Sequence, residues 1–288
     1  MAGHRRSALL TALVLVLLAT AVGVTVAERA GHASTPRSGG VVPSAPGPRA
    51  TATRGAAPAL RVVGLGDSVP AADTCDCNGF LEQLTPALHA TTGRVVTLRN
   101  DAVSGWTTQD VLDALAGCRA RADLAAGADL VVVEIGANDF DLSRLTDPSC
   151  APAGSSACFH TTLAGLRSGL TSVVDRVRHL APGARVALVG YWNVGVDGSV
   201  GRSLGPTYVA SSDALTKAVN QAVLDVTRRT GSTYVDAYTP LKGAGGHRDP
   251  TEDLLDDGDH PDASGHARLA DAVLDALQSS GAVASWRG

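Results

Sequence analysis

The chain has 288 residues, of which 44% are hydrophobic, 18% charged and only 3% aromatic, with a formal net charge of -4. This is a globular composition whose core must be built from Ala, Val and Leu, which suits buried parallel strands between helices. A mildly acidic chain without a basic run excludes nucleic acid as a partner.

His4, Arg5 and Arg6 form a positive N-terminal region, and residues 8–26 are uncharged and largely apolar. Small residues follow at 19–21 and 25–27, where a processing enzyme could cut. Residues 1–27 therefore read as a signal peptide or signal anchor, with cleavage the expectation. In both cases the basic flank stays inside and the rest is exported. The protein is expected outside the cell, or held on the outer face of the membrane. Residues 28–58 are rich in Ala, Pro, Gly, Ser, Thr and Arg and lack apolar periodicity, so they read as a disordered linker. Residues 59–288 form the folded domain.

Within that domain, residues 60–65 are a short apolar run entering the turn Gly64-Leu65-Gly66, as a buried strand would. Apolar residues recur at helical spacing over 80–90, and 94–98 are strand-like. Thr107-Thr108-Gln109-Asp110 opens a helix with Val111, Leu112 and Leu115 on one face. Residues 129–135 contain Leu-Val-Val-Val, the strongest buried-strand signal in the chain. A long amphipathic helix over 161–180, a strand over 186–189, a helix over 212–229 and a short strand over 232–236 follow. A helix over 263–277 closes the domain. Strands alternating with helices predict a parallel sheet covered on both faces.

Ligands of such sheets sit at the carboxyl ends of the strands. After the first strand comes Gly66-Asp67-Ser68, after the second Ser104-Gly105, and after the third Gly136-Ala137-Asn138-Asp139. Ser68 follows a tight glycine turn, which can expose its hydroxyl. A serine needs a base at neutral pH, and a histidine base needs a carboxylate to orient it. Asp257-Gly258-Asp259-His260 supplies both from one loop. Acyl transfer also needs donors where the oxyanion develops, for which Ser68 N–H, Gly105 N–H and the Asn138 amide are the natural set.

In order, Gly66-Asp67-Ser68, Gly105, Gly136-x-Asn138-Asp139 and Asp257-x-x-His260 resemble the four sequence blocks of the SGNH (GDSL-type) hydrolases. The stretch around the cysteines looks like that of actinobacterial members. The resemblance spans residues 60–277 and implies a flavodoxin-like three-layer α/β/α sandwich with a central parallel sheet. It also implies hydrolysis of carboxylic or acetyl esters, of lipid, soluble or polysaccharide alcohols. Ser68 would be the nucleophile, Asp257 and His260 would complete the triad, and Gly105 and Asn138 would join Ser68 in the oxyanion hole. Val69 stands where many members have Leu.

Two other readings compete. Gly201-Arg202-Ser203-Leu204-Gly205 matches the G-x-S-x-G elbow, which would make Ser203 the nucleophile of an α/β-hydrolase-type esterase. The elbow needs a strand before it and a helix after it. Residues 193–210 instead read as a loop, with Pro206 in place of a helix start. The chain could also be a non-catalytic surface-binding module on a Pro-rich stalk, which would leave the four blocks to coincidence.

Five cysteines in an exported chain are disulfide candidates. Cys150 and Cys158 are the easiest pair to close; Cys118 would then take Cys75 or Cys77, because a Cys75–Cys77 bridge is sterically poor. A Cys-x-Cys pair with no second Cys or His pair nearby is weak for zinc. The acid-rich segment 253–262 does not fit a calcium loop, and His266 reads as a helix residue rather than a ligand. No cofactor or metal is called for, and a monomer working near membrane or cell wall is expected.

Overall fold

A computed structural model describes residues 57–150 and 155–287. The expected leader and nearly all of the linker lie outside the described residues.

Five parallel strands form one sheet: β1 (Leu60–Gly66), β2 (Val96–Asn100), β3 (Leu130–Glu134), β4 (Arg185–Val189) and β5 (Thr233–Val235). Their order is β2-β1-β3-β4-β5, the doubly wound order of flavodoxin-like sheets. Side chains alternate between faces and both faces are covered, so the central strands are mostly apolar, with Val131, Val132 and Val133 consecutive in β3. Val131 and Val133 of β3 enter one core cluster with Val63 and Leu65, while Leu130 and Val132 enter another with Leu60 and Val62.

Eleven α-helices of the described residues accompany the strands, the first eight between strands and the last three after β5: α1 (Ser68–Ala71), α2 (Phe80–Thr92), α3 (Thr108–Ala116), α4 (Arg119–Ala125), α5 (Ser155–Cys158), α6 (His160–Leu180), α7 (Gly198–Ser203), α8 (Pro206–Thr230), α9 (Tyr238–Lys242), α10 (Ala263–Ser279) and α11 (Ala282–Trp286). Leucines and valines of α3, α6 and α8 cover one face of the sheet, and those of α2, α10 and α11 the other. This is the expected three-layer sandwich. The Thr107 hydroxyl accepts from Asp110 N–H and the Asp110 carboxylate accepts from Thr107 N–H, forming the capping box that its sequence suggested. None of the described helices is long and apolar enough to cross a membrane.

Two expectations need correction. Residues 193–210 are not one loop, because α7 lies within them and α8 starts at Pro206. Proline at the first position of a helix loses no hydrogen bond and has its φ already set, so Pro206 opens α8 rather than preventing it. The second correction concerns the cysteines. Cys150 and Cys158 stand within disulfide range, their Cα atoms 5.6 Å apart, but Cys75 stands in the same relation to Cys77, and Cys118 is exposed and free. An extended chain would hold residues i and i+2 about 6.7 Å apart. Here the backbone bends from Asp73 to Cys77 and brings the two Cα atoms to 5.1 Å, within disulfide range.

Candidate active site

The strand order reverses between β1 and β3, and the site lies at the carboxyl ends of these two strands. Gly66 ends β1 with φ +147°, and a Cβ there would stand 1.9 Å from the Glu134 carbonyl oxygen. Only glycine permits that approach. Asp67 then caps α1 by accepting from Val69 N–H at 3.2 Å, which puts Ser68 at the first helical position.

His260 reaches this serine from a closed turn. Leu255 N–H donates to the His260 carbonyl, and Gly258 N–H to the Leu255 carbonyl. Gly258 has φ +70°, and its close neighbours Val200 and Asp197 leave no space for a Cβ. Asp197 N–H donates to the Gly258 carbonyl at 2.7 Å, and the buried Lys242 ammonium neutralises the Asp197 carboxylate. Within the turn, Asp257 Oδ1 accepts from the N–H groups of Asp259 and His260 at 2.8 and 3.0 Å. Its Oδ2 lies 2.7 Å from His260 Nδ1, and His260 Nε2 lies 2.9 Å from Ser68 Oγ. With Nδ1–H donating to the carboxylate, Nε2 is free to accept from the Ser68 hydroxyl. Burial works against the charge on Asp257, yet the His260 and Asp259 N–H groups and the imidazole together hold its carboxyl below the ordinary range.

The segment after β3 faces the segment after β2. Asp139 accepts from Thr108 N–H and hydroxyl at 2.8 and 2.6 Å, fixing the start of α3. The Asn138 amide donates to the Trp106 carbonyl at 2.9 Å, next to Gly105, whose φ is +81°. Among the described residues, neither Ser68 N–H nor Gly105 N–H donates to a protein acceptor. Ser68, Asn138, Leu142, Trp192 and His260 line a cavity of about 50 Å³. Gly105 is not part of that lining. Ser203 stands apart, at the end of α7, where its hydroxyl donates to the Val200 carbonyl.

Sequence reasoning missed the groups beneath Ser68. The Tyr191 hydroxyl donates to Asp67 Oδ2 at 2.6 Å and accepts from Ala137 N–H at 3.3 Å, joining the two turns that carry Ser68 and Asn138. Glu134 is fully buried with no partner for either carboxylate oxygen. Burial, then the nearby Asp67, pushes its carboxyl well above the usual range. Burial also raises Asp67 to about 6, against the hydrogen bonds from Tyr191 and Val69. An acid ending the most apolar strand was the available signal for Glu134.

The model of the GDSL-like lipase/acylhydrolase family matches residues 65–268, which contain every block described above. The chain belongs to this family. As a member of the GDSL-like family, the protein is a carboxylic ester hydrolase with an SGNH-type fold. Its fold is similar to that of an acetylxylan esterase from Geobacillus stearothermophilus, at 19% identity and a TM-score of 0.54, over 76% of this chain and 94% of that one. An extracellular lipase from Streptomyces rimosus gives 22%, 0.55, 77% and 99% in the same order. A lipase from a goat rumen metagenome gives 16%, 0.57, 75% and 97%. No curated protein matches the chain in sequence.

Proposed function

We propose that the protein is an exported serine esterase that cleaves short-chain carboxylic esters through an acyl-enzyme on Ser68. The observation that carries this reading is the continuous hydrogen-bonded chain from Asp257 through His260 to Ser68. Ser68 Oγ attacks the ester carbonyl carbon as its proton passes to His260 Nε2, and Asp257 stabilises the imidazolium. The carbonyl oxygen, now an anion, is held by Ser68 N–H, Gly105 N–H and the Asn138 amide. Collapse of the tetrahedral intermediate expels the alkoxide, which leaves as the alcohol with the proton from His260. Water then attacks the acyl-enzyme, giving its proton to His260, and the second collapse releases the acid and restores Ser68.

A small acyl group is supported by the cavity at Ser68, about 50 Å³ against 300–1,000 Å³ for pockets that enclose drug-sized ligands. Acetyl fits such a space, and the name of the acetylxylan esterase among the structural neighbours agrees with it. Export rests on the basic, apolar and small-residue pattern of residues 1–27, followed by the linker of residues 28–58. The domain would then work outside the cell, either released or tethered.

A panel of p-nitrophenyl esters from acetate upward tests the reading. The acetate ester should turn over fastest, Ser68→Ala should abolish turnover, and Ser203→Ala should retain most of it. Turnover surviving in Ser68→Ala would overturn the assignment. A fluorophosphonate should label the Ser68 peptide.

A further inference from the structure

Cys75 and Cys77 lie in the segment between α1 and α2, and the fold brings His266 of α10 to them. The two Sγ atoms and one imidazole nitrogen all lie within 4.8 Å of one another. His266 is 1% exposed, its Nδ1 has no hydrogen-bond partner, and its ring stacks on Phe80 at the start of α2. A buried imidazole nitrogen without a partner is unfavourable. Two thiolates and an imidazole are the ligand chemistry of zinc, whose tetrahedral geometry spaces its ligand atoms about 3.5–3.8 Å apart. The sequence alone argued against a metal here, since Cys75-x-Cys77 has no His pair nearby in the chain. The third ligand comes from 189 residues beyond Cys77 and is supplied only by the packing of α10 against α2.

We propose that the reduced chain binds one zinc-class cation through Cys75, Cys77 and His266, with a water at the fourth position, in alternation with the Cys75–Cys77 disulfide. A thiol reductant delivers two electrons and two protons to the disulfide and leaves as its own disulfide; in the reverse exchange a small disulfide takes the two electrons, leaves as two thiols, and the cation is released. The two new Cys thiols release their protons as the cation binds. The site is structural. It ties the segment that follows the Ser68 helix to the helix that follows His260, and so braces both sides of the ester-cleaving centre. It does not depend on the mechanism proposed for that centre, because its readout is metal binding.

The test uses the full chain, reduced anaerobically with a phosphine and titrated with Co²⁺ and, separately, Zn²⁺. Reduced wild type should take up one equivalent of Co²⁺ with the thiolate-to-metal absorption of a sulfur-bound site. Zn²⁺ should displace the Co²⁺ and raise the melting temperature. The oxidised chain should bind none. Cys75→Ser/Cys77→Ser, which keeps Cys118, Cys150 and Cys158, should lose the absorption and the thermal shift. His266→Asn should weaken Co²⁺ binding at least tenfold; if it does not fold, Cys75→Ser alone provides the comparison. Failure of folded, reduced wild type to bind Co²⁺ would overturn the proposal. So would an unchanged signal in Cys75→Ser/Cys77→Ser, since the ligands would then be other cysteines.

Discussion

Replacing Asn138 by Ala separates a catalytic amide from a structural one. Asn138 is exposed, and one of its amide hydrogens goes to the Trp106 carbonyl at 2.9 Å. A hydrogen bond in competition with water contributes about 0.5–1.5 kcal/mol, so the stability of Asn138→Ala should fall by about 1 kcal/mol. The second amide hydrogen is free to reach the cavity at Ser68, which Asn138 lines. If it holds the oxyanion, its loss is felt only when the charge develops, and kcat should drop about 10²- to 10³-fold, equivalent to about 3–4 kcal/mol, with KM little changed. Stability and turnover therefore part by more than 2 kcal/mol, on the order of the difference between those two estimates. Asn138→Asp should be at least as damaging, since a carboxylate opposes the anion. Steady-state kinetics on p-nitrophenyl acetate and a melting curve on the same preparations measure both quantities. A folded Ala variant with kcat within a few-fold of wild type would refute the oxyanion role and leave only the tether to Trp106.

Glu134→Gln tests the buried acid. A carboxyl whose folded pKa lies above its unfolded value of 4.5 keeps a proton that the unfolded chain has released. Its stabilising contribution is complete below that value and is lost as pH rises toward the folded pKa. The Gln variant, which stays neutral, should gain melting temperature over wild type near pH 8 and gain least near pH 4. A gap between the two that does not change with pH would contradict this. Tyr191→Phe strands the buried Asp67 carboxylate and the Ala137 N–H, and should shift urea unfolding by about 1–3 kcal/mol while lowering kcat more than KM. An unchanged midpoint would show that neither group needs the hydroxyl. Non-reducing peptide maps should show Cys150 joined to Cys158, Cys75 to Cys77, and Cys118 alkylated in the folded protein. Linkage of Cys118 to either Cys75 or Cys77 would restore the pairing that sequence favoured.

The amino-acid sequence by itself determined the layered fold and the order of the chemical groups along it. Leu130 to Val133 had to be a buried strand because only a two-sided sheet buries four consecutive large apolar residues in extended form. Once strands and helices alternate, handedness and short connections bring the turns after β1, β2 and β3 to one edge. The Asp257–His260 turn was also legible, since both residues and the glycine that bends the chain lie within four positions. Local patterns of this kind carry their information within a few residues.

Tertiary structure decided what lies between distant segments. Tyr191 meets Asp67 across 124 residues, Lys242 meets Asp197 across 45, and His266 meets Cys75 and Cys77 only because α10 packs on α2. Such contacts depend on strand register and helix rotation, and periodicity states which face is apolar without naming the partner that covers it. The same limit explains the cysteines. Composition counted five thiols, and a local bend of the backbone chose the pair.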